Sequence, residues 1–298
     1  MNLHLDFSQP ARNSVQAVLA SHASDVNFGD GTETQVCFGR EKQPGHAKFR
    51  NGWFRIDVPL VADDAGLPSS SDIWAALKQA RELHGAKVVL PVGGESLTVR
   101  AEFAVHDSEA GNAVLAAEVC TRNACQAIAK ALRPGANGNV ARSDDAAGND
   151  SQLQDQLREF GWQCTAGGNG RLSVDLEVAN GSFPAEISRV PDGYRLSVDV
   201  LMDNCQETDE ACRYALGLLL VRAGSAIRMA GAVACTTEDE VIPCFQVVVP
   251  AEPGTASWSD ALGSLSVICE LFTAEAEVLS QHPGLARAYL TMYGAREF

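Results

Sequence analysis

Residues 51–60 read NGWFRIDVPL and residues 191–201 read PDGYRLSVDVL, so the second stretch repeats the first at an offset of 140 positions. In each stretch a turn dipeptide, Asn-Gly or Asp-Gly, precedes a run in which apolar and polar residues alternate. This pattern predicts a half-buried strand that leaves a hairpin turn. The aligned pairs are Phe54 with Tyr194, Arg55 with Arg195, Ile56 with Leu196, and Val58 with Val198.

The segments around these two strands predict the same order of elements in both halves of the chain. For the second half we predict a helix at 151–162, strands at 171–178, 183–190 and 194–202, a helix at 207–224, strands at 225–234 and 241–249, and a closing helix from about 257 to 282. For the first half we predict a helix at 11–22, strands at 32–39, 46–51 and 53–61, a helix at 71–85, strands at 86–92 and 97–105, and a closing helix at 112–133. Each half is thus predicted to be α-β-β-β-α-β-β-α.

The domain organisation follows from this repeat and from the length of 298 residues, which favours two domains of about 150 residues. The stretch at 133–151 is rich in Gly, Asn, Asp and Ala and has no apolar period, which is typical of a linker. We therefore expect a first domain over 1–133, a linker over 134–150 and a second domain over 151–298. The predicted fold class is α+β, with two tandem copies of one domain, each an antiparallel sheet with helices packed on it.

The composition predicts a cytoplasmic protein with reduced thiols. No stretch approaches the roughly 20 apolar residues that span a bilayer. The N-terminal sequence MNLHLDFSQPARNS has neither the basic start nor the apolar core of a secretory signal. The nine cysteines are odd in number and include no C-x-x-C pair, a pattern unlike a disulfide framework or a zinc site. We expect no metal and no cofactor.

The formal net charge of −15 limits the class of partner. Residues 1–150 carry 14 basic and 18 acidic side chains, whereas residues 151–298 carry 9 basic and 20 acidic ones. Binding to phosphates requires clustered Lys and Arg, so this balance disfavours nucleic acid and anionic membrane as partners.

Motifs for catalysis are missing from the sequence. It contains no G-x-S-x-G, H-E-x-x-H or G-x-x-x-x-G-K-[ST] pattern. The charges that recur in both repeated strands could still form an active site across the two halves, although paired charges on exposed strands are the simpler interpretation. These charges are Arg55, Asp57, Arg195 and Asp199. We expect a protein that is not an enzyme, and a polar pocket in the interdomain cleft would favour the opposite.

The helix predicted at 207–224 contains ALGLLLVRAG, which is apolar on nearly every side. Such a helix must be covered on more than one face. Its own sheet can cover one face, so we expect a second domain or a partner to cover another. The corresponding helix at 71–85 is more amphipathic.

The predicted order α-β-β-β-α-β-β-α, in an acidic domain of about 130–150 residues without catalytic motifs, resembles the class I type III secretion chaperones and the related YbjN-like family. The resemblance implies a twisted antiparallel sheet with helices packed on it. It also implies homodimers joined through the middle helix, which hold an extended segment of a secreted effector against hydrophobic surface on the sheet and helices.

Two such domains on one chain would form a monomeric pseudo-dimer through their middle helices. We place the contact near Trp74, Leu77, Leu216, Leu219 and Leu220. The leading hypothesis is a chaperone-like module that binds a protein or an extended peptide. The alternative is a regulatory or scaffold protein of the same fold that binds a folded partner, and an enzyme with a site in the interdomain cleft is a third.

Overall fold

The computed structural model describes most of the second half of the chain and about half of the first. The described residues are 17, 19, 23–28, 33–38, 43–50, 53–60, 66–83, 85–104, 119, 122–124, 151–166, 171–179, 181–190, 193–201, 209–236, 241–250 and 255–295. The predicted linker at 134–150 lies outside them, as does most of the helices predicted at 11–22 and 112–133. The few positions described within those two helices are helical.

The described elements of the first half are six strands and one helix. They are β1 (Ala23–Phe28), β2 (Glu33–Phe38), β3 (Gln43–Arg50), β4 (Trp53–Pro59), α1 (Ser70–Ala80), β5 (Ala86–Val89) and β6 (Thr98–Ala104). The second half contains α2 (Ser151–Glu159), β7 (Cys164–Ala166), β8 (Leu172–Val178), β9 (Gly181–Val190), β10 (Gly193–Asp199), α3 (Glu210–Ala226), β11 (Gly231–Thr236), β12 (Val241–Pro250), α4 (Thr255–Gln281) and α5 (Pro283–Met292).

The strands form two antiparallel sheets, so the predicted α+β class is confirmed. Among the described residues each sheet has six strands, in the orders β1-β2-β3-β4-β6-β5 and β7-β8-β9-β10-β12-β11. The order is the same in both halves when each strand is matched to its counterpart. The two repeated stretches form β4 and β10, which both lie between two partner strands.

The prediction of five strands in each half was wrong by one strand. β1 and β7, the additional strands, lie at the outer edges of the two sheets. β7 has only three residues, and β1 shows little apolar alternation in its sequence ASDVNF. Such edge strands are formed by backbone pairing with an existing neighbour, β2 or β8, and this pairing leaves little trace in the sequence.

The middle helix of the second half, predicted at 207–224, extends beyond its predicted end at Gly224. α3 continues through Gly224 to Ala226, and the next strand begins only at Gly231. Gly85 in the first half does adopt the left-handed conformation, with φ of 70°, but Gly224 does not. A Cβ on Gly224 would lie 3.4 Å from Cγ1 of Val89, an ordinary van der Waals distance, so Gly224 lies where α3 packs on β5.

The hydrophobic core is shared between the two halves. α3 packs against α4, α5 and β11 of its own half and against α1 and β5 of the first half. α1 in turn packs against β11 of the second sheet. The expectation that α3 is covered on more than one face is therefore confirmed. In the part of the chain that the structure describes, no helix has both the length and the apolar character needed to cross a membrane.

Candidate functional site

The contact between α1 and α3 is built by two aromatic residues that occupy matching positions, 140 residues apart. Trp74 is 2% exposed, and its Nε1 donates a hydrogen bond to the carbonyl oxygen of Arg213 at 3.0 Å. The Tyr214 hydroxyl donates to the carbonyl oxygen of Pro68, also at 3.0 Å. Each aromatic side chain buries its ring and satisfies its polar atom in the other half of the chain.

The five residues predicted for the interdomain contact are all buried. Trp74 lies directly at the contact of α1 with α3. The other four, Leu77, Leu216, Leu219 and Leu220, lie in the hydrophobic cluster to which both halves contribute. The prediction missed Gly217, where a Cβ would lie 3.0 Å from Cγ2 of Ile73 and from Nε1 of Trp74. A glycine among leucines in a helix is itself a signal of close packing, because it lowers helix stability by about 1 kcal/mol relative to alanine.

The C-terminal end of each middle helix is bound by polar side chains from the other half's sheet. At the end of α3, Lys87 donates to the carbonyl oxygen of Ile227, and Arg100 Nη1 donates to that of Ser225 at 3.1 Å. Lys87 also donates to the carbonyl oxygen of Ala230, in the segment between α3 and β11. These cations neutralise the negative end of the α3 dipole and pair its free carbonyls.

The same arrangement recurs at α1 with fewer charges. Gln246 Nε2 donates to the carbonyl oxygen of Ala80 at 3.4 Å, and Arg195 Nη2 donates to that of Arg81 at 2.9 Å. The contacts are therefore reciprocal, since each half supplies a helix end and also the side chains that bind one.

Four charged side chains on the first sheet form what we term the Lys87–Glu102 cluster: Asp57, Lys87, Arg100 and Glu102. Strand pairing brings them together, because Arg100 lies opposite both Asp57 and Lys87, and Glu102 lies two residues along the same strand face. Lys87 Nζ is 2.9 Å from Glu102 Oε2, and Arg100 Nε is 2.7 Å from Asp57 Oδ1. The side chains of Lys87, Glu102 and Arg100 are only 6%, 8% and 4% exposed.

Burial has opposite consequences for the two ends of the Lys87–Glu102 pair. It lowers the pKa of the Lys87 ammonium, and Glu102 opposes that shift in part. On Glu102 burial alone would raise the pKa, but Lys87, Arg100 and the Met229 N–H together lower it below the ordinary 4.5. The lowered pKa of Lys87 favours the neutral amine, whereas the lowered pKa of Glu102 favours the charged carboxylate. We infer that the pair is ionised, because Lys87 also donates to two carbonyl oxygens that stabilise the ammonium.

A cavity of about 50 Å³ lies beside this cluster, between the two halves. Its polar lining includes Lys87, Arg100, Glu102 and Gln246. It has room for a few water molecules, whereas typical ligand sites occupy about 300–1,000 Å³. The hydrogen bonds of the cluster are directed to one another and to main-chain groups, so the cluster positions the second half against the first.

The charges that recur in both repeated strands do not converge on one pocket. Arg55 is one-third exposed and pairs at 3.0 Å with Asp57, a member of the Lys87–Glu102 cluster. Arg195 lies at the end of α1 instead, and Asp199 accepts a hydrogen bond from Cys244 Sγ at 3.1 Å.

The inner edge strands β5 and β11 meet at Lys87 and Gly231. A Cβ on Gly231 would lie 2.7 Å from Cβ of Lys87, closer than two side-chain carbons approach. We expect Gly231→Ala to lower the free energy of unfolding by about 1–3 kcal/mol, because the two sheets must move apart. Urea denaturation followed by circular dichroism measures the change.

Gly263→Ala is the matched control for this substitution. Gly263 lies on the exposed side of α4, and a Cβ there has no neighbour within 4 Å. In a helix interior the added methyl should stabilise the protein by about 0.5–1 kcal/mol. Equal effects of the two substitutions would contradict a tight contact at Gly231.

A second surface lies on α4, away from the interdomain contact. Trp258, Leu262, Leu265 and Ile268 on one side of this helix are fully buried. On the opposite side, Val267, Leu271 and Val278 are 43%, 57% and 41% exposed, and Ala274 between them is also exposed. Their spacing of four, three and four residues places them on one helix face. We call these four residues the α4 apolar stripe.

The exposed apolar residues continue onto α5, where Leu285 and Met292 are 54% and 69% exposed. From the sequence we identified α3 as the helix that is apolar on nearly every side, and we missed this second apolar face of α4. The signal was present as the four-three-four spacing from 267 to 278.

The outward face of the second sheet is polar by comparison. Asp175 and Glu177 of β8 are exposed, and Glu186 of β9 pairs with Arg171 at 3.0 Å. Among the described residues, the large hydrophobic side chains that are exposed lie on α4, on α5 and at Val92, and none lies in a strand.

The six cysteines that the structure describes form no disulfide. No group of three or more His, Cys, Asp or Glu side chains in the described ranges is arranged to hold a metal ion. Comparison of the sequence with models of known protein families finds no match, and comparison with curated proteins finds no significant match.

Proposed function

We propose that this chain is a non-enzymatic, chaperone-like protein-binding module, and that it binds a polypeptide segment of a partner on the α4 apolar stripe. The observation that carries the proposal is the exposure of Val267, Leu271 and Val278 on one face of a helix whose other face is fully buried. A contiguous apolar surface on a rigid helix is characteristic of interaction sites.

The resemblance to secretion chaperones implied a hydrophobic surface on the sheet and helices, and the location on α4 corresponds to the helical part of it. Because the outward residues of β8 and β9 include Asp175, Glu177 and Glu186, that sheet face offers little apolar area to a partner. The helix face therefore suits a hydrophobic segment better than the sheet does.

We further propose that the two halves arose by tandem duplication and form a monomeric pseudo-dimer in the cytoplasm. The shared strand order supports the duplication. The reciprocal binding of the ends of α1 and α3 supports the pseudo-dimer, because each half contributes the same kinds of contact. In this arrangement the middle helices hold the halves together, and α4 stays available to a partner.

Leu271→Asp tests the function. The substitution places a charge at the centre of the stripe on an exposed position, so folding should be preserved while partner binding falls at least tenfold. The tagged wild-type and variant proteins would be compared by affinity capture from native cytosol with quantitative mass spectrometry of the retained proteins.

Val92→Asp is the control, because Val92 is 86% exposed and lies in a loop outside α4. Retention of the same proteins by wild type and by Leu271→Asp would overturn the proposal. Mapping of the captured partner to a short segment supports the chaperone-like function, and mapping to a folded domain supports the scaffold alternative.

A further inference from the structure

We infer that the segment bound on the α4 apolar stripe is a basic amphipathic helix, in which Lys or Arg residues flank the apolar face. This inference rests on the proposed function, since it specifies the partner of the same surface. Two features of α4 support it: the spacing of the stripe and the charges beside it.

The spacing of the stripe matches the seam of a helix pair. Residues 267, 271, 274 and 278 alternate steps of four and three, the pattern of the a and d positions of a coiled coil. Side chains in this pattern leave holes that accept side chains at i, i+3, i+4 and i+7 of a second helix. An extended segment would have no backbone partner here, because the α4 main chain is satisfied within the helix.

The length of the α4 apolar stripe also suits a short helix. From Val267 to Val278 the stripe spans about 16 Å at 1.5 Å per residue. α4 ends at Gln281, and His282 adopts an extended conformation before α5 begins at Pro283. The seam therefore accommodates a helix of about three turns along α4.

The charges beside the stripe are all negative. Glu270 and Glu277, seven residues apart, lie along one edge, and Glu275 lies along the other. Glu275 and Glu277 are exposed and Glu270 is half-buried. The sequence from 255 to 286 contains no Lys or Arg. In helix pairs such flanking charges select the partner, so this edge pattern favours a helix with Lys or Arg at the facing positions.

A second copy of this chain is disfavoured as the occupant by the same charges. Two α4 stripes packed together would bring Glu270, Glu275 and Glu277 of one copy close to acidic residues of the other. Like charges in these positions weaken helix pairing and raise specificity for other partners. The net charge of −15 also disfavours self-association, because two copies repel each other over a longer distance.

Two synthetic helical peptides test the inference with the full-length protein. Both carry three heptads with Leu at positions a and d, and they differ only in having Lys or Glu at positions e and g. We expect the Lys peptide to bind at least tenfold more tightly by fluorescence anisotropy at low salt, with the difference reduced at high salt as the charges are screened.

Charge reversal on α4 should invert that preference. In the variant Glu270→Lys/Glu277→Lys the Glu peptide should bind more tightly than the Lys peptide, and Leu271→Asp should abolish binding of both. The control variant Glu95→Lys/Glu177→Lys makes the same change of net charge at exposed positions outside α4, and it should keep the preference for Lys.

Several outcomes would overturn the inference. Equal binding of the two peptides, or inversion by the control variant, would show that the charges beside the stripe do not select the partner. Self-association of the chain that Leu271→Asp abolishes would identify a second copy as the occupant. A native partner that needs Leu271 but tolerates a proline in the centre of its segment would exclude a helix and leave the proposed function standing.

Discussion

Glu102→Leu is expected to lower the free energy of unfolding by about 3–5 kcal/mol. The substitution leaves the Lys87 ammonium buried at 6% exposure without its carboxylate. It also removes the acceptor of the Met229 N–H, which lies 3.2 Å from Glu102 Oε2. Chemical denaturation of the wild-type and variant proteins measures the loss.

The double variant Lys87→Met/Glu102→Leu distinguishes loss of the ion pair from the cost of leaving one buried charge without its partner. Replacing both charges with apolar groups removes the unpaired ammonium, so the double variant should be more stable than Glu102→Leu alone. The exposed pair of Arg158 with Asp155 provides the control, because Asp155→Leu should change stability by less than about 1 kcal/mol. A loss at Glu102 no larger than this would contradict a structural role for the cluster.

The pH dependence provides a second check on the same variant. Because the pKa of Glu102 is lowered in the folded protein, its carboxylate contributes stability that is fully present above the ordinary value of 4.5. That contribution is lost as the pH falls through the lowered pKa. The difference in stability between wild type and Glu102→Leu should therefore shrink in acid below pH 4.5.

Trp74→Ala is expected to lower the free energy of unfolding by about 3–5 kcal/mol. The side chain is 2% exposed between α1 and α3, and its removal leaves a cavity at the contact of these two helices. It also removes the hydrogen bond from Trp74 Nε1 to the carbonyl oxygen of Arg213. Thermal and urea unfolding of the whole chain would measure the loss.

Two conservative variants divide this effect into packing and hydrogen bonding. Trp74→Phe keeps most of the ring volume and loses the hydrogen bond to Arg213, and Tyr214→Phe loses only the hydrogen bond to Pro68. Each lost hydrogen bond should lower stability by about 0.5–1.5 kcal/mol. If Trp74→Ala is no worse than Tyr214→Phe, packing of α1 on α3 does not hold the halves together.

The interdomain contact at Trp74 and the α4 apolar stripe show how much of a surface can be predicted from sequence patterns. Trp74 could be predicted at the interdomain contact because the all-round apolar character of α3 requires cover beyond its own sheet. The stripe on α4 was present in the same kind of spacing, but α4 is apolar on its core side as well. Only the structure shows which of its two apolar faces is covered.

The sequence by itself determined the two α+β halves, the paired central strands β4 and β10, and the need of α3 for cover on several sides. These features depend on local turn chemistry and on the periodicity of neighbouring residues. Tertiary structure alone decided the edge strands β1 and β7, the close approach at Gly231 and the Lys87–Glu102 cluster. The physical reason is that each of these arises from contact with other strands or with the other half, and no local pattern records which residue will be the neighbour.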